Sequence, residues 1–188
     1  MILLSILRRL INKGEPPPDG DEGKSGARGD ALGNVKIRPY RRADRAAILQ
    51  IAATDFEGVS LDENVERAFG PMGERWQELK RRAVDSDLNH NPQSALVAEL
   101  RGTIIGFVCN RLYRMRSIGH VANLAVARKY QGRGVGKALM AASLAHFRRR
   151  GMRYVRIETL EQNTRASAFY PALGFKEVGR QIYYFREL

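Results

Sequence analysis

The chain has 188 residues, enough for one self-sufficient domain plus a tail, and a formal net charge of +12. Its one cysteine, Cys109, excludes an intramolecular disulfide and predicts a reducing compartment, for which we expect the cytoplasm. The three histidines lack the spacing of metal ligands, so we expect no metal site. Residues 1–34 hold five basic and five acidic residues, which leaves the whole charge excess in residues 35–188. A domain that basic attracts polyanions, although a solvated basic surface explains most of the charge equally well.

The first 34 residues divide into an apolar run and a polar linker. Residues 1–11 lack the leading positive charge and cleavage site of a secretory signal, and they are far too short to span a bilayer. They are either a short amphipathic helix, in weak contact with a membrane or with the domain, or the product of a misassigned start codon. Residues 13–34 are rich in Gly, Pro, Asp and Lys, which predicts a disordered linker. We therefore place one domain at residues 35–188.

Hydrophobic periodicity predicts the elements of the first half of the domain. These are a strand, a helix, a longer helical stretch and two strands, over residues 35–38, 44–52, 61–88, 94–100 and 103–113. Asp44 is the predicted N-cap of the first helix, and the longer stretch is broken around Gly70 and Pro71. Gly106 predicts a bulge in the last of these strands.

The second half alternates strands and helices. We predict a strand, a helix, a strand, a helix and a final hairpin, over residues 120–126, 137–150, 154–160, 163–173 and 175–185. This order predicts a mixed α+β sheet with helices on both faces. Three arginines, 148–150, end the long helix, where cations complement the helix dipole. This local cause favours a structural role for them, so we expect no specific nucleic-acid partner.

A glycine turn, Gln131-Gly132-Arg133-Gly134-Val135-Gly136, joins the predicted strand 120–126 to the long helix. Unpaired N–H groups at a helix start, together with the helix dipole, attract an anion such as a phosphate. The turn fails the Walker pattern, because Gln131 replaces the required glycine and Ala138 follows Lys137. It also fails the dinucleotide pattern G-x-G-x-x-G. What remains is Q-x-x-G-x-G.

This turn resembles the acetyl-coenzyme A loop of the GCN5-related N-acetyltransferase (GNAT) family, whose pattern is Q/R-x-x-G-x-G/A. A second segment, Glu158 to Phe175, contains Asn163, Tyr170 and Leu173-Gly174-Phe175 at the spacing found in the same family. In this segment the chain is most similar to the ribosomal-protein alanine N-acetyltransferases. The resemblance covers residues 120–180 in detail, and the flanking elements agree in order and type.

The resemblance implies a GNAT fold, which is an α+β fold with a mixed, mostly antiparallel sheet of six to seven strands and helices on both faces. It implies an acyltransferase that moves acetyl from acetyl-CoA to a primary amine, with the N-terminus of a protein as the expected acceptor. The resemblance implies no metal cofactor. The acceptor pocket is expected between residues 56–88 and the hairpin near Tyr183 and Tyr184.

The family also implies the roles of individual residues. Tyr170 is the expected general acid for the departing thiolate, and Glu158 is the expected general base. His120 and Glu161 remain rival bases, because an imidazole also suits proton relay near neutral pH. The coenzyme is expected to bind through Asn163 and the backbone of two segments: Leu124, Ala125 and Val126; and Gln131, Gly132, Arg133, Gly134, Val135 and Gly136.

Three alternatives remain open from the sequence. The acceptor is a small-molecule amine rather than a protein, or the domain binds acyl-CoA without catalysis. An intact Tyr170 and glycine turn speak against the second of these. In the third, the basic surface binds RNA or the ribosome, which would make binding collapse with added salt.

Overall fold

A five-stranded sheet forms the middle of the protein in the computed structural model, which describes residues 34–188. The strands lie side by side in chain order: β1 Val35–Pro39, β2 Leu96–Leu100, β3 Thr103–Tyr113, β4 Ile118–Val126 and β5 Tyr154–Arg156. Neighbours from β1 to β4 are antiparallel, and β5 pairs with β4 in parallel. The sheet is therefore mixed and mostly antiparallel, as predicted. The predicted apolar segment, 1–11, and the linker up to residue 33 lie outside the described residues.

Helices cover both faces of the sheet. They are α1 Arg45–Thr54, α2 Leu61–Phe69, α3 Trp76–His90, α4 Val135–Arg149 and α5 Thr164–Phe169. On one face, which we call the α3 face, Ile48 of α1 and Val84 of α3 pack against Phe107. On the other, the α4 face, the apolar stripe of α4 packs against β2, β3 and β4. Within residues 34–188, no helix has the length and apolar character needed to cross a membrane.

Two bulges change which side chains face each helix layer. In β3, the register against β2 shifts next to Gly106, which confirms the predicted bulge. In β4, Asn123 pairs with Cys109 while Val121 pairs with Asn110, so Ala122 is the extra residue. Because of this extra residue, His120 and Asn123 both lie on the α3 face, although they are three positions apart. The bulge thus places two polar side chains of β4 together.

The C-terminal prediction is wrong. The strand predicted over residues 154–160 ends at Arg156, and residues 176–188 form no strand. The sheet of the described chain therefore has five strands rather than six to seven. Alternating apolar residues form a strand only where a neighbouring edge offers backbone hydrogen bonds. β5 offers an edge of just three residues, and side chains such as Ile182 and Tyr184 stay exposed.

Candidate functional site

β4 and β5, the last two strands at one side of the sheet, separate after a short paired segment. Their parallel pairing ends at His120 and Arg156, whereas β4 continues to Val126. On this side, the backbone of Leu124–Val126 has no strand to pair with in the described structure. Unpaired N–H and C=O groups at such an edge are strong hydrogen-bonding groups that a ligand can satisfy. The two strands therefore splay apart beside Leu124–Val126.

The glycine turn follows directly at the end of this opening. A short 3₁₀ turn, Arg128–Tyr130, leads from β4 into it, and α4 begins at Val135. Gly132 and Gly134 have φ angles of 76° and 83°, in the left-handed region that favours glycine. A Cβ added at either position would meet nothing within 4 Å, so the turn is open to a ligand. The first turn of α4 holds no acidic residue that would repel an anion.

Gln131 anchors the turn to the strand. Its Nε2 donates to the carbonyl oxygen of Val126 at 2.7 Å, and its Oε1 accepts from Arg165 of α5. The side chain that begins the Q-x-x-G-x-G pattern thus ties the end of β4 to α5. Its role in this structure is to hold the shape of the loop.

Asn163 caps α5. Its Oδ1 accepts from the backbone N–H of Ala166 at 3.1 Å, which satisfies one of the unpaired donors at the helix start. The family resemblance predicted a coenzyme contact for Asn163, whereas this cap was not predicted. Capping uses the carbonyl oxygen and leaves the amide NH₂ group for a ligand.

Tyr170 follows α5 and is half-buried on the α4 side of the molecule. Its ring packs at steep angles against Phe169 and Phe175, with centroid distances of 5.5 and 6.0 Å. Burial, together with the negative charge of Glu158, raises the pKa of the Tyr170 phenol to about 12. The phenol is therefore neutral near neutral pH and has a proton to donate.

Glu158 and His120 form a pair across the β4–β5 junction. His120 Nε2 donates to Glu158 Oε1 at 2.9 Å, and Arg156 donates to both oxygens of the same carboxylate at 3.0 and 3.1 Å. His120 is buried, with the ring of Tyr113 stacked 5.9 Å from it, whereas 57% of the Glu158 side chain is exposed. The carboxylate is thus the member of the pair that an incoming molecule can reach.

The charges of the pair follow from its surroundings. Burial lowers the pKa of the His120 imidazole, although the Glu158 carboxylate opposes this. Burial acts to raise the pKa of Glu158, but the hydrogen bonds and charges of Arg156 and His120 outweigh it and lower the pKa overall. Around neutral pH the pair therefore consists of a neutral imidazole and an ionised carboxylate.

A buried chain of polar side chains on the α3 face was not predicted from the sequence. Lys80 Nζ donates to Asn123 Oδ1 at 2.7 Å, Asn123 Nδ2 donates to Asp87 Oδ2 at 2.8 Å, and Arg111 Nε donates to Asp87 Oδ1 at 2.6 Å. The chain joins α3 to β3 and β4 beside the bulge. Asn123, a polar residue inside an apolar strand, was the signal that could have pointed to it.

Other predicted features lie apart from this pair. Glu161, the third candidate base, is exposed and pairs with Arg180 at 2.6 Å. Tyr183 and Tyr184 lie outside any hairpin, but their neighbour Phe185 reaches α2, with its ring centroid 6.5 Å from that of Phe69. No cluster of three or more potential metal ligands occurs among the residues that the structure covers.

The sequence of this chain is similar to those of known acetyltransferases. The sequence model of the acetyltransferase (GNAT) family matches residues 45–175. A mycothiol acetyltransferase of Thermobispora bispora is 35% identical in an alignment of 118 positions that covers 58% of this chain and 39% of the relative. N-alpha-acetyltransferase 30 of Schizosaccharomyces pombe is 36% identical over 67 residues, which are 36% of this chain and 45% of the relative. The chain thus spans less than half the length of these curated relatives.

Solved structures share the fold. Ard1 from Thermoplasma volcanium superposes with a TM-score of 0.60 at 28% identity, covering 77% of this chain and 84% of the other. A GNAT family acetyltransferase from Brucella melitensis, solved in complex with acetyl-CoA, superposes with a TM-score of 0.56 at 24% identity, again over 77% and 84%. The opening between β4 and β5 and the glycine turn lie within residues 45–175, which the family model matches.

Proposed function

This chain belongs to the GNAT acetyltransferase family, and from that premise we propose that it transfers acetyl from acetyl-CoA to the α-amine of a protein N-terminus. The observation that supports the transfer most directly is the opening between β4 and β5. It lies beside a glycine turn open to phosphate and beside the pair of Glu158 and His120. The amine acceptor is supported by the similarity to an N-alpha-acetyltransferase.

Acetyl-CoA binds along the edge of β4. Its pyrophosphate accepts hydrogen bonds from the backbone amides of residues 131–136, where the α4 dipole adds roughly half a positive charge. The pantetheine arm runs beside Leu124–Val126 and meets the side chain of Asn163. The N–H groups of that edge polarise the thioester carbonyl, and a donor of this kind is worth about 10²–10³ in rate.

Glu158 acts as the general base. Its exposed carboxylate accepts the proton of the attacking amine, while His120 and Arg156 hold it in place. The neutral amine attacks the thioester carbon, the C–N bond forms and the C–S bond breaks. The proton stays on Glu158 until solvent takes it, because Nε2 of the neutral His120 already carries the proton that it donates to this carboxylate.

Tyr170 acts as the general acid. Its pKa of about 12 keeps the phenol protonated until the thiolate of coenzyme A leaves. A positioned acid is worth roughly 10²–10⁴ in rate, since the departing thiolate otherwise waits for a proton from solvent.

A small-molecule amine is the second candidate acceptor. The mycothiol acetyltransferase of Thermobispora bispora matches a larger share of this chain than the N-alpha-acetyltransferase does, 58% against 36%. A small amine would use the same base and acid. The two candidates therefore differ only in the part of the acceptor that would contact residues 56–88, which include α2 and α3.

Isotope-labelled acetyl-CoA distinguishes these acceptors. The full chain is incubated with a peptide panel in paired forms, one with a free N-terminus and one with the N-terminus blocked, and with a panel of small amines. We expect label on the free α-amine and none on the blocked peptide. Label on small amines alone would replace the protein acceptor with a small-molecule one, and no label on any amine would overturn the transferase activity.

A further inference from the structure

Lys80 of α3 carries an amine that lies against the α3 face of the sheet beside the bulge in β4. Its Nζ donates to Asn123 Oδ1 at 2.7 Å and stands 3.8 Å from the ring centroid of Phe56. Burial lowers the pKa of this amine, against the charges of Asp62 and Asp87, which raise it. A larger fraction of the Lys80 amine is therefore neutral than in an exposed lysine, and the neutral form is the nucleophile.

The position of this amine is fixed by its neighbours. Both ends of the Asn123 amide are used, since Oδ1 accepts from Lys80 and Nδ2 donates to Asp87 at 2.8 Å. Asp87 is 4% exposed and is itself held by Arg111 at 2.6 Å. A buried chain of paired polar groups holds its members in one geometry. The Lys80 amine is thus held at β4 rather than free to rotate into solvent.

That position is next to the proposed transfer site. Asn123 immediately precedes Leu124–Val126, the edge assigned above to the thioester carbonyl. His120, which holds the proposed base, lies on the same face across the bulge. Lys80 is partly buried, whereas the other lysines of residues 34–188 are all exposed: Lys36, Lys129, Lys137 and Lys176.

We propose that Lys80 is an internal acetyl acceptor, so that the protein acetylates its own Lys80 when acetyl-CoA is bound and no external amine is present. This inference rests on the proposed function. The neutral Nζ attacks the thioester carbon, and the N–C bond forms as the C–S bond breaks. The leaving thiolate takes a proton from Tyr170, and Nζ gives its surplus proton to the Glu158 carboxylate.

The product has a consequence for the site. An acetylated Lys80 keeps one N–H for Asn123 but loses the positive charge over the Phe56 ring. Its acetyl group also occupies space in front of β4. Self-acetylation therefore slows transfer to an external amine, and an external amine protects Lys80 from acetylation.

In the test, the full chain is incubated with labelled acetyl-CoA and no added acceptor amine. Peptide mass mapping then shows which lysines carry the label. We expect label at Lys80 with a first-order rate constant that does not change with protein concentration. Spontaneous acetylation favours exposed amines, so the labelling of Lys36, Lys129 and Lys176 serves as the internal reference. Tyr170→Phe should slow labelling of Lys80 by about 100-fold and leave the reference lysines unchanged. Lys36→Arg is the matched control and should leave the rate at Lys80 unaltered.

Each outcome decides the proposal. If Lys80 is labelled at the same rate as the reference lysines in both the wild type and Tyr170→Phe, its acetylation is spontaneous. If the rate constant at Lys80 rises with protein concentration, the acetyl group is transferred between molecules. Either result overturns the internal transfer. If peptides or small amines are labelled while Lys80 is not, the inference fails and the proposed function stands. If no amine is labelled at all, both fail.

Discussion

His120 Nε2 lies 2.9 Å from Glu158 Oε1, although the two residues are 38 positions apart in the chain. The parallel pairing of β4 with β5 brings them together, because His120 aligns with Arg156 and Glu158 follows two residues later. Two residues that the sequence presented as rivals for one role thus form one hydrogen-bonded unit. The more exposed member, Glu158, is the one we propose as the base.

Glu158→Gln removes the proton acceptor while it keeps the size of the side chain. We expect the transfer rate to fall by about 10²–10⁴. The wild-type carboxylate has a lowered pKa and stays ionised well below neutral pH, so it supports transfer across the neutral range. The variant must wait for amines that lose their proton to solvent, and its activity should rise with pH towards the amine pKa of about 8.

The measurement is the pH dependence of kcat/KM with a peptide acceptor. His120→Gln is the matched variant, since it removes the hydrogen-bond partner but leaves the carboxylate. It should lower the rate by less than Glu158→Gln does. An unchanged pH profile in Glu158→Gln would exclude the carboxylate as base and point to His120 or to solvent.

Tyr170→Phe removes one hydroxyl group and keeps the packing against Phe169 and Phe175. Because the wild-type phenol has a pKa of about 12, it donates its proton throughout the neutral range. We expect kcat to fall by about 100-fold or more, with the Kd for acetyl-CoA, measured by calorimetry, changed by less than about twofold. An equal loss of kcat and coenzyme binding would remove Tyr170 from the role of acid.

The family assignment and most of the fold could be predicted from the sequence. The glycine turn depends on local chemistry, in which a strand, a left-handed turn and a helix start follow one another within a few residues. The predicted start of the following helix needed a correction of two residues, since α4 begins at Val135 rather than Lys137. The bulge at Gly106 was also a local signal, since a glycine inside a strand marks a close approach of backbone or side chains.

Features that depend on distant contacts could not be predicted in the same way. The second bulge, at Ala122, leaves no trace in a run of apolar residues, yet it decides that His120 and Asn123 share a face. The final hairpin was predicted from alternation alone, and it failed because a strand also requires a partner edge. Asp44 is a further case: it precedes α1 as predicted, but its carboxylate binds Arg38 and the Arg41 amide instead of capping the helix.

Asp44→Asn is expected to destabilise the fold. Two nitrogens of Arg38 donate to the Asp44 carboxylate at 2.8 Å, and both side chains are less than 10% exposed. Removing one partner of a buried ion pair leaves an uncompensated charge, which costs about 3–5 kcal/mol in the free energy of unfolding. Glu99, which also binds Arg38, should hold the loss near the lower end of that range.

Urea unfolding measures this loss, and Glu57→Gln provides the control. Glu57 pairs with Arg128 at the exposed surface, where an ion pair contributes about 1 kcal/mol or less. The hydrogen bonds of Arg38, opposed by burial, lower the pKa of Asp44 below its ordinary value of 3.8. The stabilisation is therefore present above pH 3.8 and is lost as the pH falls through the lowered pKa. A difference between wild type and Asp44→Asn that persists unchanged in stronger acid would contradict the ion pair as its cause.

Gly134→Ala tests the glycine turn against a matched position elsewhere. Gly134 and Gly151 have φ angles of 83° and 75°, and a Cβ at either would meet nothing within 4 Å. Alanine in the left-handed region costs about 1–2 kcal/mol, so both variants should unfold more easily by a similar amount. Only Gly134 lies among the residues whose amides are proposed to hold the pyrophosphate. Loss of a hydrogen bond to a charged group, worth about 1.5–3 kcal/mol, should raise the Kd for acetyl-CoA tenfold or more in Gly134→Ala alone. Calorimetric titration of both variants gives the comparison, and an equal Kd for the two would separate this turn from coenzyme binding.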